Sequence, residues 1–436
     1  MDKIADHSRS IEDKLVFYIL MLTWPFYFGG GLYIVGPVPA VKLTGIIVLR
    51  LFVSGSASEP GSLARPPMGV WVWSAGMVIM LVALQIGHHN HQLGFGQTLK
   101  STIGWAKGWA LFGLFPLAGA CLKIRLETIL RASGYVSLTT LILLPLFAIA
   151  PYLGLPEVLY VSAFKIVGGP GPEFFAVQLY SVEPNDGSFR WRFFAPWSPA
   201  AGYLGNMYLI LALADQRRFW KLVGVLAGIS VIIMSKSRLA LLAALTVWPF
   251  VMAMVGARRP FWWLTASIAC MVLVPFFPSI IDAIERLVEA LNGFRANSSR
   301  VRAILGEIAI DRWSTEAPVW GHGIVERGPH IVEFMPIGSH HTWYGLLFVK
   351  GAVGLAAFAI PLVWSLVEFG ISALLRSPLG QLGFALTLLM AIYTIGENIE
   401  ILAYLIWPGL LVTGLAFRHV HAENMRFGHH LNISTG

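Results

Sequence analysis

Apolar runs separated by short polar breaks fill most of this chain, and a run of about 20 mostly apolar residues is what a helix needs to cross a bilayer. On that scale twelve spans are expected, at roughly 15–35, 39–54, 68–87, 101–122, 128–150, 197–214, 219–235, 239–256, 261–277, 343–367, 379–396 and 399–417. Charged residues make up only 12% of the sequence, against about 25% in a soluble domain. So few charges could not solvate 436 residues, and an all-α polytopic membrane protein forming one integral domain over 1–436 is expected. No small-residue cleavage motif follows the polar opening from Met1 to Glu12, so no cleavable signal is expected. Cys121 and Cys270 both fall in apolar runs and read as small core residues. No internal repeat is evident.

Lysine and arginine in short loops set orientation. Lys3, Arg9, Lys14, Arg65, Lys123, Arg125, Arg131, Arg217, Arg218, Lys221, Arg258, Arg259, Arg376, Arg418 and Arg426 fall in one set of connections, which reads as cytoplasmic. Two long segments, 151–196 and 278–342, then lie on the outer face. The second carries Ile280, Ile281, Ile284, Leu287, Val288 and Leu291 at helical spacing, ended by Asn292-Gly293. A second amphipathic helix is expected from the cap pair Ser298-Ser299, with Val301, Ile304, Leu305 and Ile308 on one face. Both long segments are rich in arginine, which positive-inside sorting does not require there, so function is sought on this face.

Four polar groups carry the candidate chemistry. Arg190 and Arg192 flank Trp191 just before the sixth span. They serve either as interfacial anchors or as a bidentate clamp on phosphate. Ser235-Lys236-Ser237-Arg238 is pinched between two apolar runs, as an ordinary turn or as a second anion contact through Arg238. Arg300 and Arg302 are two residues apart, so one helix face cannot present both. His340 and His341 stand at the mouth of a span; an imidazole there is either an interfacial residue or a base for a sugar hydroxyl. Glu397 and Glu400, three residues apart, would be neighbours on a helix and could position an arginine or an acceptor; an outer turn is the plain alternative. Arg50, inside the second span, either snorkels or pairs inside the bundle. His88-His89-Asn90-His91 lacks a carboxylate or cysteine to complete a metal set, and no metal site is expected. No Asp-x-Asp pattern, hydrolytic carboxylate pair, phosphate loop or dinucleotide fingerprint is present.

Taken in order, several of these pieces resemble the bacterial O-antigen ligase family, within the O-antigen ligase and Wzy-type polymerase superfamily. The likeness runs from Arg190 to about Gly409. It comprises Arg-Phe-Phe-Ala-Pro-Trp-Ser-Pro from Arg192, Ser-Lys-Ser-Arg-Leu-Ala-Leu-Leu at 235–242 and Ser-Ser-Arg-Val-Arg at 298–302. Pro-Val-Trp-Gly-His-Gly at 318–323, His340 eleven residues before Gly351, and Glu-Asn-Ile-Glu-Ile from Glu397 complete it. The resemblance implies a GT-C-like architecture in the bacterial inner membrane, with the active site facing the periplasm. It implies inverting transfer of a glycan from undecaprenyl diphosphate to lipid A-core, among membrane lipids, with no metal, no cofactor and no nucleic acid. His340 would then be the functional histidine, His341 would stand where the family usually has Asn, and Arg192, Arg238 and one of Arg300 or Arg302 would hold the diphosphate. Polymerases and protein-glycosylating ligases share much of the pattern. A lipid-linked glycan transporter is the competing class, but it would carry polar or broken helices at membrane depth, often in repeated halves. The charge here gathers on one face. If the orientation is right, cysteines introduced at Ser188 and Ser298 should react with an impermeant thiol reagent in intact spheroplasts. Labelling only after the inner membrane is opened would reverse the orientation.

Overall fold

Backbone N–H and C=O groups in hydrocarbon must be satisfied within the protein, which leaves helices and closed barrels as spanning forms. A computed structural model of the chain describes residues 10–53, 63–183, 187–257, 259–277, 282 and 296–433, and it takes the helical solution. The first half forms α1 (Ile11–Met21), α2 (Thr23–Phe28), α3 (Leu32–Val35), α4 (Val38–Val53), α5 (Met68–Asn90), α6 (Gly94–Lys107), α7 (Leu111–Cys121) and α8 (Leu126–Ile149). The second half forms α9 (Ser198–Ala214), α10 (Arg218–Met234), α11 (Arg238–Gly256), α12 (Pro260–Leu273), α13 (Ala296–Glu316), α14 (Thr342–Leu374), α15 (Pro378–Tyr393) and α16 (Ile399–Ile433).

Among the described residues six segments are long and apolar enough to cross a membrane: Leu32–Phe52, Met68–Asn90, Leu126–Ile149, Arg238–Gly256, Thr342–Leu374 and Ile399–Met425. The twelve continuous spans expected from hydropathy are therefore not all single long helices. The run expected at 15–35 is cut into α1, α2 and α3 around Leu22 and Gly29–Gly31, where Gly30 takes φ of 64°. The run expected at 101–122 is cut at Gly108, separating α6, which buries no residue, from α7. Cys121 is buried as expected, but Cys270 is exposed on α12.

The end of the bundle where α14 and α16 begin is here called the upper end. At the lower end ion pairs hold the helices: Arg50 to buried Glu12 at 3.0 Å, Arg125 to Asp13 at 2.7 Å, and Arg217 to Asp215 at 2.7 Å. Arg50 thus pairs inside the bundle. The described parts of both long polar segments lie at the upper end. The 151–196 segment contains two short antiparallel ladders that the sequence did not signal. They are β1 (Val158–Val161) with β2 (Ala176–Gln178), and β3 (Ser181–Val182) with β4 (Phe189–Arg190). In the other segment, the amphipathic helix expected at 280–291 lies outside the described residues. The second is α13, which buries Val301 and Leu305 against Val332, and Ala309 against Phe348 of α14. It is packed onto the protein, not merely laid on a surface.

The feature that organises this end is a break in α14. Gly351 adopts φ 64° and ψ −166° in the middle of the helix. The 318–323 segment repairs the lost hydrogen bonds from both sides. His322 and Gly323 N–H groups donate to the Phe348 and Val349 carbonyls at 2.9 Å each. Ala352 and Val353 N–H groups donate to the Pro318 and Val319 carbonyls at 2.9 and 3.2 Å. A Cβ on Gly351 would run into the Val319 carbonyl and the Gly321 amide. The spacing of eleven from His340 to Gly351 therefore measures one half-helix plus the turn that precedes it. Gly351→Ala should cost at least the about 1–3 kcal/mol of a strained left-handed residue, read as a drop of several degrees in the unfolding midpoint in detergent. An unchanged midpoint would mean that the break is not held in this way.

Candidate functional site

The start of α14 is fixed to the α15–α16 connection through Thr342. Its N–H donates to the Thr394 carbonyl at 2.9 Å, its hydroxyl donates to the Glu397 carbonyl at 2.6 Å, and the Ile399 N–H donates to that hydroxyl at 3.2 Å. Trp343 adds an indole donor to the Thr394 hydroxyl at 2.9 Å. The two histidines before Thr342 consequently do different things. His341 is the N-cap: its Nδ1 accepts the Tyr344 N–H at 3.4 Å, and its ring stacks on Tyr344 at 3.9 Å. Tyr344 in turn packs against Gly306 of α13. His340 takes φ of 62°, a conformation uncommon outside glycine. Burial, helped by the Arg302 charge, pushes its imidazole down to about 4. His340 is therefore neutral at physiological pH, a free acceptor.

Glu397 is buried and accepts the Trp197 indole N–H at 2.8 Å. Burial raises its carboxyl to about 7, against the opposing Trp197 hydrogen bond and the Arg302 and Arg190 charges. Glu400 is not its partner. Glu397 lies in the non-helical 394–398 connection, whereas Glu400 opens α16 and faces buried Lys350 at 3.9 Å. The Lys350 amine also lies 5.4 Å from the Trp109 ring centre. The two carboxylates expected as neighbours thus diverge into separate surroundings.

The arginines divide as well. Arg190 pairs with Glu183 at 2.6 Å and reaches the Ser235 carbonyl at 3.5 Å, while the Trp191 N–H donates to the Met234 carbonyl at 3.3 Å. This seats β4 on the α10–α11 turn. That turn is closed by the Ser235 hydroxyl on the Ile232 carbonyl and by Ser237 as cap of α11. Arg238 is half-buried at the start of α11, and the adjoining Leu239 packs on Gly396, one residue from Glu397. Both arginines of the 300–302 pair are exposed, and Arg302 is the one whose charge acts on both His340 and Glu397. Arg192 is engaged differently from Arg190. Its guanidinium donates to the Pro196 carbonyl at 3.0 Å and lies within electrostatic reach of Tyr27, Glu173 and Arg190. Arg192 also rims an apolar cavity of about 310 Å³ among α8, α9 and α10, lined by Val136, Leu204, Tyr208 and Val231. His340, Arg302, Glu397, Arg190 and the 235–238 turn are thus gathered at the upper end, with Arg192 two residues after Arg190.

The 88–91 histidines serve the 318–323 segment. His88 bonds the Gly323 carbonyl at 2.9 Å and the Thr98 hydroxyl at 3.1 Å, and the His91 ring stacks on His322 at 5.2 Å. His322, buried, contacts Glu316 at 2.8 Å and the Phe348 carbonyl at 3.0 Å. Sequence reasoning missed two residues that hold the site together, Trp197 and Thr342. Each is recognisable only as the residue at a helix start, Trp197 before Ser198-Pro199 and Thr342 after the histidines.

No protein-family model matches this chain, and no curated protein matches it either. What the chain does must be read from its own residues.

The raised Glu397 carboxyl has a consequence for stability. Below its ordinary value of 4.5 it is protonated in both folded and unfolded chains and carries no penalty. As pH rises through about 7, the folded protein must ionise a buried acid and loses stability. Glu397→Gln should therefore gain on the wild type by up to about 3 kcal/mol between pH 4.5 and 8. Unfolding midpoints of both proteins across that range measure it; a pH-independent difference would refute the raised value.

Proposed function

We propose that this protein is an O-antigen ligase, a glycosyltransferase of the inner membrane that moves a glycan from undecaprenyl diphosphate to lipid A-core on the periplasmic face. The observation that carries this reading is the meeting of His340, Arg302 and Glu397 beside Arg190 and the Arg238 turn, at one end of a bundle of apolar helices. The sequence resemblance supports it from the side of the motifs.

The donor already carries its leaving group, so the protein must stabilise the departing diphosphate and prepare a hydroxyl. Arginines do the first: they remain charged at any working pH and grip phosphate oxygens in pairs. His340 does the second. The acceptor oxygen attacks the anomeric carbon, the bond to the diphosphate breaks with its electron pair leaving on oxygen, and the hydroxyl proton passes to the imidazole. Attack opposite the leaving group inverts the anomeric centre. A base held near 4 is weak in the empty site. An incoming diphosphate adds negative charge next to it and raises it toward the working pH, where general-base catalysis is most effective. Proton acceptance is thereby coupled to donor binding.

The decisive assay uses the purified protein, a lipid-diphosphate-linked glycan and lipid A-core. His340→Ala should lose about 10²–10⁴-fold in rate, Arg302→Ala should lose most activity, and Arg300→Ala and His341→Asn should remain close to wild type. Transfer that survives in His340→Ala but not in His341→Ala would exchange their roles. Glycan elongation without lipid A-core would assign polymerase activity instead, and no transfer at all would end the proposal.

A further inference from the structure

The connection that follows α8 is not composed as a loop for water. Between Pro151 and Pro172 its only charged residues are Glu157 and Lys165, whereas about a quarter of a soluble chain is charged. Its apolar side chains point outward: Ile166 is 91% exposed, Tyr152 75% and Leu153 66%, and Phe164 and Val167 are half-exposed. All four residues of β1 are exposed as well. Successive strand side chains point to opposite faces, so protein covers neither face of β1. This exposure is built in, not loose. The Ser162 N–H donates to the Phe175 carbonyl at 2.9 Å, and the Ser162 hydroxyl accepts the Phe164 N–H at 3.2 Å to start a 3₁₀ turn, Ala163–Val167. The Tyr160 hydroxyl donates to the Phe28 carbonyl, and a Cβ on Gly30 would run into Ser162. Strand and turn are thus pinned on the α2–α3 connection with their apolar side chains held out. The same surface continues along a span. Near its upper end α8 exposes Ile142, Leu146 and Ile149 on one helical face. The Tyr152 and Leu153 N–H groups donate to the Ile149 carbonyl and carry the chain on from that face.

We propose that the segment from Tyr152 to Val167 is a membrane-docking surface, seated in the interfacial layer of the leaflet at the upper end. Leu153, Ile166 and Val167 dip among the upper parts of the acyl chains. Tyr152 stands at the headgroup boundary, where aromatic residues gather. Lys165 lies between two apolar neighbours, and its long stem carries the ammonium back to the lipid phosphates while they stay in hydrocarbon. Irregular backbone does not enter the lipid-exposed hydrocarbon, which limits the segment to this layer. A second copy of the chain is a poorer occupant. β1 has only four residues and an irregular register between Val158 and Tyr160, and short or bulged edges discourage pairing with another chain. The seat does not rest on the transferase reading, since it follows from the spans and the composition of the connection. It sets the α2–α3 connection, on which the segment is pinned, at headgroup depth.

Fluorescence quenching in vesicles tests the seat. Cys121 is buried and Cys270 exposed, so Cys270→Ala leaves no accessible native thiol. In that background Ile166→Cys and Leu153→Cys each carry a nitrobenzoxadiazole label on the full-length protein, reconstituted in phosphatidylethanolamine and phosphatidylglycerol. Ile142→Cys on α8 marks the bilayer, and Ser314→Cys, exposed on α13 between Asp311 and Glu316, marks water. The Ile166 and Leu153 labels should lose most of their emission to lipids bearing a nitroxide on the acyl chain, as the Ile142 label does. Iodide on both sides of the membrane should quench the Ser314 label and spare the other three. Iodide quenching at either Ile166→Cys or Leu153→Cys, to the extent seen at Ser314→Cys, overturns the proposal. Labels at those two positions that are shielded from iodide and from nitroxide lipid alike also overturn it, because a second copy then covers the surface instead of the bilayer.

Discussion

The upper end of this protein depends on an exchange of backbone hydrogen bonds at Gly351. In hydrocarbon an interrupted helix is tolerable only where other protein groups take over its freed amides and carbonyls. Here the 318–323 segment supplies them on both sides of the break, and His88, His91 and His322 brace it. The half-helix Thr342–Lys350 is thereby held as a separate unit. Its start is tied through Thr342 to the connection that carries Glu397. The position of His340 follows from the break below it and the tether beside it.

Within that frame the surroundings drive two titratable groups in opposite directions. Burial pushes the His340 imidazole down and the Glu397 carboxyl up, because both charged forms lose hydration. The Arg302 charge then acts on them with opposite effect, pushing the imidazole further down while drawing the carboxyl back. Neutral imidazole and near-neutral carboxyl coexist at physiological pH, a separation of roles of the kind acid–base sites are built on. Glu400, three residues away, is outside this arrangement because Lys350 claims it.

Much of this was legible in the sequence where the signal was local. Hydropathy located apolar helices, and the apolar face of Val301, Ile304, Leu305 and Ile308 anticipated α13, although the helix begins at Ala296 and the Ser298-Ser299 pair lies inside it instead of capping it. The basic and histidine motifs were picked out, and they fall at one end of the bundle. What failed was continuity. Gly29–Gly31 and Gly108 cut runs that a hydropathy window reads as whole, and the two-residue ladders β3 and β4 are too short to leave an alternating pattern. The choice between Arg300 and Arg302 required the approach of α13 to α14. The different fates of His340 and His341 required the helix start at Thr342, where one ring becomes a cap. The divergence of Glu397 from Glu400 could not be read from their spacing, since it depends on where α16 begins.

The ion pairs at the lower end, Arg50 with Glu12, Arg125 with Asp13 and Arg217 with Asp215, give the bundle an uneven stiffness. The Arg418 guanidinium adds to them by clasping the Leu122 and Ile124 carbonyls. Separating α1 from α4 or α8 would strand partly buried charges, whereas Arg217 and Asp215 close the α9–α10 connection locally. The upper end has ion pairs of its own, Arg190 with Glu183 and Lys350 with Glu400, beside turns and single hydrogen bonds, several through backbone in rare conformations at Phe193, Lys236 and His340. Three of the positive-φ residues thus lie among the arginines, at the end of the bundle opposite the Arg50 and Arg125 pairs.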